Sequence, residues 1–177
     1  MYMTEQQKER IKNWKIHPSQ RGYFAYELYK QMAKNEDIWL ICLDLGYGIF
    51  DHHIKDFPGR AISVGASEQA GMDIAVGLAL KGKIPFVYSI TPFLLRRPYE
   101  TLKLYLDEEK IPVKLVGSGR DKDYMHDGPS HYATDAPELL KTLPNIKTFF
   151  PDTKEQVPQI VKQMVEEKTP AFISLKR

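Results

Sequence analysis

The sequence predicts an α/β protein: a doubly wound, mostly parallel sheet with helices on both faces. Two observations carry that expectation. Short apolar runs alternate with longer stretches of helical pattern along the chain, the arrangement that a parallel sheet with crossover helices requires. The runs are apolar at successive positions rather than alternate ones, which suits strands covered on both faces. The 177 residues fit one domain with a sizeable core, and 42% hydrophobic with 27% charged residues is ordinary for a globular protein.

Taken in order, residues 1–20 are polar and basic. They read as an extension, a helix and a connector, to which the sequence assigns no role; the domain proper runs over 21–177. A helix is expected near Tyr23–Lys34, then a first strand over the apolar run Ile38–Leu43 and a second over Ala61–Val64. The helix Glu68–Lys81 is apolar on nearly every side, so it is expected to be buried rather than amphipathic. Ile84–Ser89 reads as the third strand, Pro98–Glu109 as a helix and Val113–Gly117 as the fourth strand. A short helix near Ala136–Thr142 precedes the fifth strand, Ile146–Phe150. Pro151 closes that strand, and Asp152 or Thr153 can cap the helix Lys154–Glu167. Ala171–Leu175 is the sixth strand.

A formal charge of +2 is too small to imply nucleic acid or an anionic membrane as partner. The start Met1-Tyr2-Met3-Thr4-Glu5 has no apolar signal core, and no segment is long enough to span a bilayer, so a cytoplasmic protein is expected. Cys42, the single cysteine, lies inside the first strand and reads as a buried structural thiol. His52 and His53 beside Asp51 lack a third convincing ligand, and adjacent histidines point apart on a helix, so no metal is expected there.

The segment Val64-Gly65-Ala66-Ser67-Glu68-Gln69 sets a carboxylate, Glu68, where a strand ends and a helix begins. Strand ends of parallel sheets are where ligands bind, yet an acid also favours a helix N-terminus through the macrodipole. On this segment alone, capping ranks ahead of catalysis. The rest of the chain reverses the ranking. Asp44-Leu45-Gly46, Phe57-Pro58-Gly59-Arg60, the Gly-x-x-Glu-Gln segment, Thr91-Pro92-Phe93, Asp127-Gly128-Pro129-Ser130-His131 and the final Ala171-Phe172-Ile173-Ser174-Leu175 occur in one order and spacing. In that combination the chain, from about Arg21 to Arg177, closely resembles the pyrimidine-binding domain of transketolases, a branch of the thiamine diphosphate enzymes.

The resemblance implies roles for particular residues. Glu68 stands where the family's glutamate contacts N1′ of the cofactor's aminopyrimidine and promotes its imino tautomer, a task for a short, charge-assisted hydrogen bond in a dry pocket. Phe93 matches the aromatic ring presented to the pyrimidine, and Tyr99 another aromatic around it; a core phenylalanine at a sheet edge is the plainer reading of Phe93. Arg96 stands where many transketolases carry a second aromatic, and its guanidinium can stack, bind a phosphate or be solvated. Asp44 matches an acid near the thiazolium, or is simply a strand-end turn residue. His131 and Asp127 match residues that read the substrate's hydroxyls, for which buried donors and acceptors give discrimination; a surface turn is the alternative. Tyr132 departs from the Gln or His often found there. Arg120, in a charged loop, is a candidate for a substrate phosphate or carboxylate, with solvation equally open.

The resemblance also implies a missing half. In the family, Mg²⁺ and the diphosphate are held by a Gly-Asp-Gly…Asn motif on a second domain, and no Gly-Asp-Gly occurs here. The expected protein is one half of a split enzyme, completed by a diphosphate-binding subunit in a heterotetramer with a homodimeric core. A truncated piece of a longer protein would give the same sequence, although the Met1 start favours a separate subunit. Gly71, Ala75 and Ala79 would form a small-residue stripe, facing either a partner helix or the domain's own sheet at even odds. The implied activity is transfer of a two-carbon ketol unit from a ketose to an aldehyde. The alternatives are a split 2-oxoacid decarboxylase, a deoxyxylulose phosphate synthase-like enzyme, or a non-catalytic interaction module.

Overall fold

Parallel strands β1 (Ile38–Cys42), β2 (Ala61–Ser63), β3 (Ile84–Ile90), β4 (Lys114–Ser118), β5 (Lys147–Phe149) and β6 (Ala171–Leu175) form one sheet in the computed structural model, which is described over residues 3–177. The sheet order is β2-β1-β3-β4-β6-β5, and every pairing is parallel. Leu40 lies opposite Ala61 on one side and Phe86 on the other. Along β1 the side chains alternate between two cores. Ile38, Leu40 and Cys42 join one, and Ile41 joins the other together with Leu43 just beyond the strand. Helices therefore cover both faces. Burial pushes the Cys42 thiol up to about 12, the behaviour of an inert core residue.

On the first face lie α1 (Glu5–Asn13), α2 (Gln20–Met32), α3 (Asp51–Asp56) and α8 (Val157–Glu166). Phe24 and Leu28 of α2 meet Val157 and Val161 of α8 in that core. Helix α2 starts earlier than its apolar pattern suggests because Ser19 caps it, accepting from the Gly22 amide. The 3-10 turn Lys154–Gln156 precedes α8, with Thr153 as its cap and the Gln156 carboxamide accepting from the Asp152 and Thr153 amides. The N-terminal segment, without a role in the sequence, docks on this face; Met1 and Tyr2 lie outside the described residues. Thr4 and Gln7 form a capping box at the start of α1. Arg10 reaches Asp56 through both Nε and Nη2, and Tyr29 donates to the same carboxylate at 2.7 Å. Burial works to raise Asp56, but the hydrogen bonds from Arg10 and Tyr29 outweigh it and hold the carboxyl below its ordinary value.

The second face carries α4 (Glu68–Leu80), α5 (Thr91–Arg96), α6 (Tyr99–Thr101) and α7 (Ala136–Lys141). Helix α4 corrects one expectation. It is one-sided: Met72, Ala75, Val76 and Ala79 are buried, whereas Ile74 is 40% and Leu80 68% exposed. A single helix layer covers this side of the sheet, so only one face of α4 meets it. The small-residue stripe belongs to that inner face, because a Cβ at Gly71 would stand 2.5 Å from Leu43 Cδ2 and 3.1 Å from Val64 Cγ2. The expected helix Pro98–Glu109 is also not α-helical throughout. After α6 it widens into a π-helical segment, Leu102–Glu108, which still buries Leu102 and Leu106. Helices α3 and α5 are additions to the expected elements.

Arg60, of the Phe-Pro-Gly-Arg segment, has a structural part. It donates to the carbonyls of Asn35 and Ile38 at 3.0 and 3.1 Å and of Met32 at 2.9 Å, closing the end of α2 over the sheet. Among the described residues, no helix is long and apolar enough to cross a membrane.

Candidate active site

The chain passes from β1 outward to β2, then returns past β1 to β3, so the crossovers diverge at the C-terminal ends of β1 and β3. Such a switch point leaves a crevice for ligands. Here it is a cavity of about 290 Å³ bordered by Asp44 beyond β1, Ala66 and Glu68 beyond β2, Ser89 and Ile90 of β3, Phe93 and Arg97 of the α5 region, and His131.

Gly65, at φ +67°, turns the chain out of β2, and α4 then begins at Glu68. The carboxylate is 3% exposed and its hydrogen bond goes to Arg97 Nη1, at 2.6 Å. Among the described residues no backbone N–H donates to it, so Glu68 does not serve as a hydrogen-bonding cap. A buried carboxylate held by a guanidinium at this distance is a strong, charge-assisted contact.

Helix α5 supplies the next residues. It is pinned at its start by Thr91, whose hydroxyl donates to the Gly119 carbonyl at 2.7 Å. Gly117 makes room for that contact, because a Cβ there would lie 2.5 Å from Thr91 Oγ1 and 2.8 Å from the Phe172 ring. Phe93, Arg96 and Arg97 follow at i, i+3 and i+4, which puts them on one helical face. The Arg97 guanidinium lies 3.9 Å over the Phe93 ring. Arg96 turns to the neighbouring loop, bonding the Tyr132 carbonyl at 3.1 Å and pairing with Asp135. It thereby fixes the stretch that follows His131.

His131 ends the 3-10 turn Pro129–His131, entered through Gly128 at φ +87°. Its ring stands edge to face with Phe93, centroids 4.8 Å apart, and Nδ1 is 3.0 Å from Ser130 Oγ.

The structure thus brings together Asp44, Glu68, Phe93 and His131. It does not bring Tyr99, Asp127 or Arg120 to the cavity, and each has a reason. Tyr99 packs toward the second-face core and its hydroxyl pairs with Thr142 Oγ1 at 2.7 Å. Asp127 is exposed at the end of the 3-10 turn Met125–Asp127. Arg120 donates to the Ser174 carbonyl at 2.6 Å, Ser174 Oγ at 3.2 Å and the Pro151 carbonyl at 3.1 Å, tying the ends of β4 and β6 together. Sequence reasoning missed Arg97 and Ser89. Arg97 carries a signal, four positions beyond Phe93, only once Thr91–Arg96 is known to be helical. Among the described residues no group of three or more His, Cys, Asp or Glu side chains could hold a metal ion. His53 is instead buried between Tyr29 and Phe50.

The buried carboxylate, the flat face of Phe93 and the apolar wall of Ile90 fit an aminopyrimidine, which needs one acceptor for a ring nitrogen and one surface for stacking. Among the described residues, the cavity lining offers no cluster of cations for a diphosphate.

The family described as "Transketolase, pyrimidine binding domain" matches residues 17–177. The chain is 31% identical over 122 residues to an apulose-4-phosphate transketolase subunit of Actinobacillus succinogenes, covering 69% of this chain and 39% of that protein. It is 31% identical over 123 residues to 6-deoxy-6-sulfo-D-fructose transketolase subunit SqwH of a Clostridium species, covering 70% and 38%. The chain therefore matches well under half of the length of each of these relatives. Among solved structures, one described as "Split gene transketolase, inactive beta4 tetramer" superposes with a TM-score of 0.78 at 29% identity, over 90% of this chain and 52% of that one.

Proposed function

The chain belongs to the transketolase pyrimidine-binding-domain family, and from that premise we propose that it is the pyrimidine-binding half of a two-component, thiamine diphosphate-dependent transketolase-like enzyme. The observation that carries the reading is the Glu68 carboxylate, 3% exposed, facing the same cavity as the Phe93 ring and His131.

When bound, thiamine diphosphate would supply the nucleophilic carbon that attacks a ketose carbonyl and carries its two-carbon ketol unit to an aldehyde. The residues of this chain prepare that chemistry. Glu68 would hold the pyrimidine by accepting a hydrogen bond from its ring nitrogen, favouring the form of the ring whose exocyclic nitrogen can act as a base. Phe93 and Ile90 orient the ring and exclude water, which strengthens the carboxylate's hydrogen bond. His131, which lines the same cavity, would meet the hydroxyls of the sugar. Asp44 lines the same cavity and would contact the cofactor there. Asp127, exposed in the same loop as His131, would meet substrate only outside the cavity.

A partner subunit would hold Mg²⁺ and the diphosphate and close the site, in a heterotetramer around a homodimeric core. The names of the relatives, two transketolase subunits and a split-gene protein, support that division. Calorimetry tests it: the chain alone should bind thiamine diphosphate weakly or not at all, and the complex with its partner tightly in the presence of Mg²⁺. Tight, Mg²⁺-dependent binding by this chain alone would sink the split-site reading.

A further inference from the structure

One guanidinium makes both contacts that the proposed pyrimidine needs. Arg97 Nη1 donates to Glu68 Oε1 at 2.6 Å, and the same group lies 3.9 Å over the Phe93 ring. Guanidinium and aminopyrimidine share the relevant chemistry: each is flat, delocalised and edged with N–H donors. They cannot both occupy the Phe93 face and the carboxylate oxygen. His131 crowds the ring as well, edge to face at 69°.

We propose that Arg97 is a latch on the pyrimidine pocket, a side chain that imitates the ligand and has to swing away before a planar, N–H-donating heterocycle binds. The inference rests on the pyrimidine-site reading and adds the residue that governs access to it. The physics of both partners suits a latch. A carboxylate that is 3% exposed is costly to leave without a partner, so the pocket alone favours a counter-charge. Arg97 itself is 47% exposed, on the solvent side of the pair, where water screens the attraction and lets the side chain leave. The latch thus keeps Glu68 satisfied in the lone subunit and yields to a better-fitting ring.

The test uses the full chain, with thiamine as the probe, read from the backbone amide signals of Ala66, Glu68 and Ile90. If the latch is closed about nine-tenths of the time, Arg97→Ala should bind thiamine about tenfold more tightly than the wild type. Arg97→Lys keeps the charge without the flat fork and should fall between them. Because loss of the counter-charge could loosen the pocket, the Arg97 side-chain Nε–H signal of the unaltered chain gives a second reading. It should be ordered in the free protein and released both by thiamine and by Glu68→Gln. Equal or weaker binding by Arg97→Ala, or an Arg97 signal unmoved by bound thiamine, would overturn the inference. So would failure of both proteins to take up thiamine at millimolar concentration, since Arg97 would then not be what closes the pocket. That outcome leaves the functional reading to be decided separately, by thiamine diphosphate binding to the partnered complex.

Discussion

The His131 imidazole stands edge to face against the Phe93 ring, centroids 4.8 Å apart, joining the loop beyond β4 to the helix beyond β3 at one cavity. The contact places the residue proposed to meet the sugar against the residue proposed to hold the cofactor ring, so the two roles can be separated by substitution.

His131→Ala in the partnered enzyme should lower kcat/KM for the ketose by roughly 5- to 150-fold, the equivalent of about 1–3 kcal/mol for one lost hydrogen bond in a closed site. Cofactor affinity should change far less. Asp127→Ala, altered at an exposed position, should cost only a few-fold in the same assay. A His131 variant that lost cofactor binding while keeping its sugar kinetics would show the role to be misassigned.

Gly117→Ala should destabilise the chain by about 1–3 kcal/mol, the usual cost of overpacking a tight core. The new methyl meets Thr91 Oγ1 and the Phe172 ring, and neither is a freely movable chain end. Thr91 anchors α5, so Phe93 and Arg97 should shift with it. Thermal unfolding measures the first effect, and altered Ile90 and Phe93 amide signals the second.

His53 predicts a pH dependence. Burial lowers this imidazole to about 3, against the ordinary value of 6.5, and outweighs the opposing pull of the Ala25 backbone beside it. Between these values the unfolded chain binds a proton that the folded one refuses. The stability contributed by neutral His53 is therefore complete above about pH 6.5 and is lost as the pH falls toward 3, at up to about 1.4 kcal/mol per pH unit. His53→Phe retains the aromatic packing against Tyr29 and Phe50 and should flatten that slope. Equal slopes for the two proteins between pH 6.5 and 4 would refute the assignment.

The sheet was legible in the sequence because a strand covered on both faces needs an unbroken apolar run, and each of the six runs became a strand within about a residue or two of its expected ends. Hydrogen-bond register was less legible. Leu102 and Leu106 are buried as their spacing implies, yet apolar spacing does not distinguish an α-turn from the wider π-turn found there. Short helices left little pattern: α3 and α5 have six residues each. Of the site, Glu68, Phe93, Asp44 and His131 could be picked out through the family resemblance, and the fold gathers them. Arg97 could not, because its partner Glu68 is 29 positions away and only the fold makes them neighbours. That Tyr99 and Arg120 lie away from the cavity was hidden for the same reason: Thr142, Ser174 and Pro151, which engage them, are distant in sequence.

The most direct test of the central claim is proton exchange at C2 of thiamine diphosphate in the partnered complex, comparing Glu68→Gln with the wild type. The substitution keeps size and shape but removes the carboxylate proposed to hold the pyrimidine's active tautomer. Exchange and turnover should fall about 10²–10⁴-fold, the usual loss for a positioned acid–base group, while the complex still assembles. If Glu68 serves only its ion pair with Arg97, the change should lower stability and leave exchange in the assembled complex unaltered. Normal exchange in the assembled variant would contradict the account.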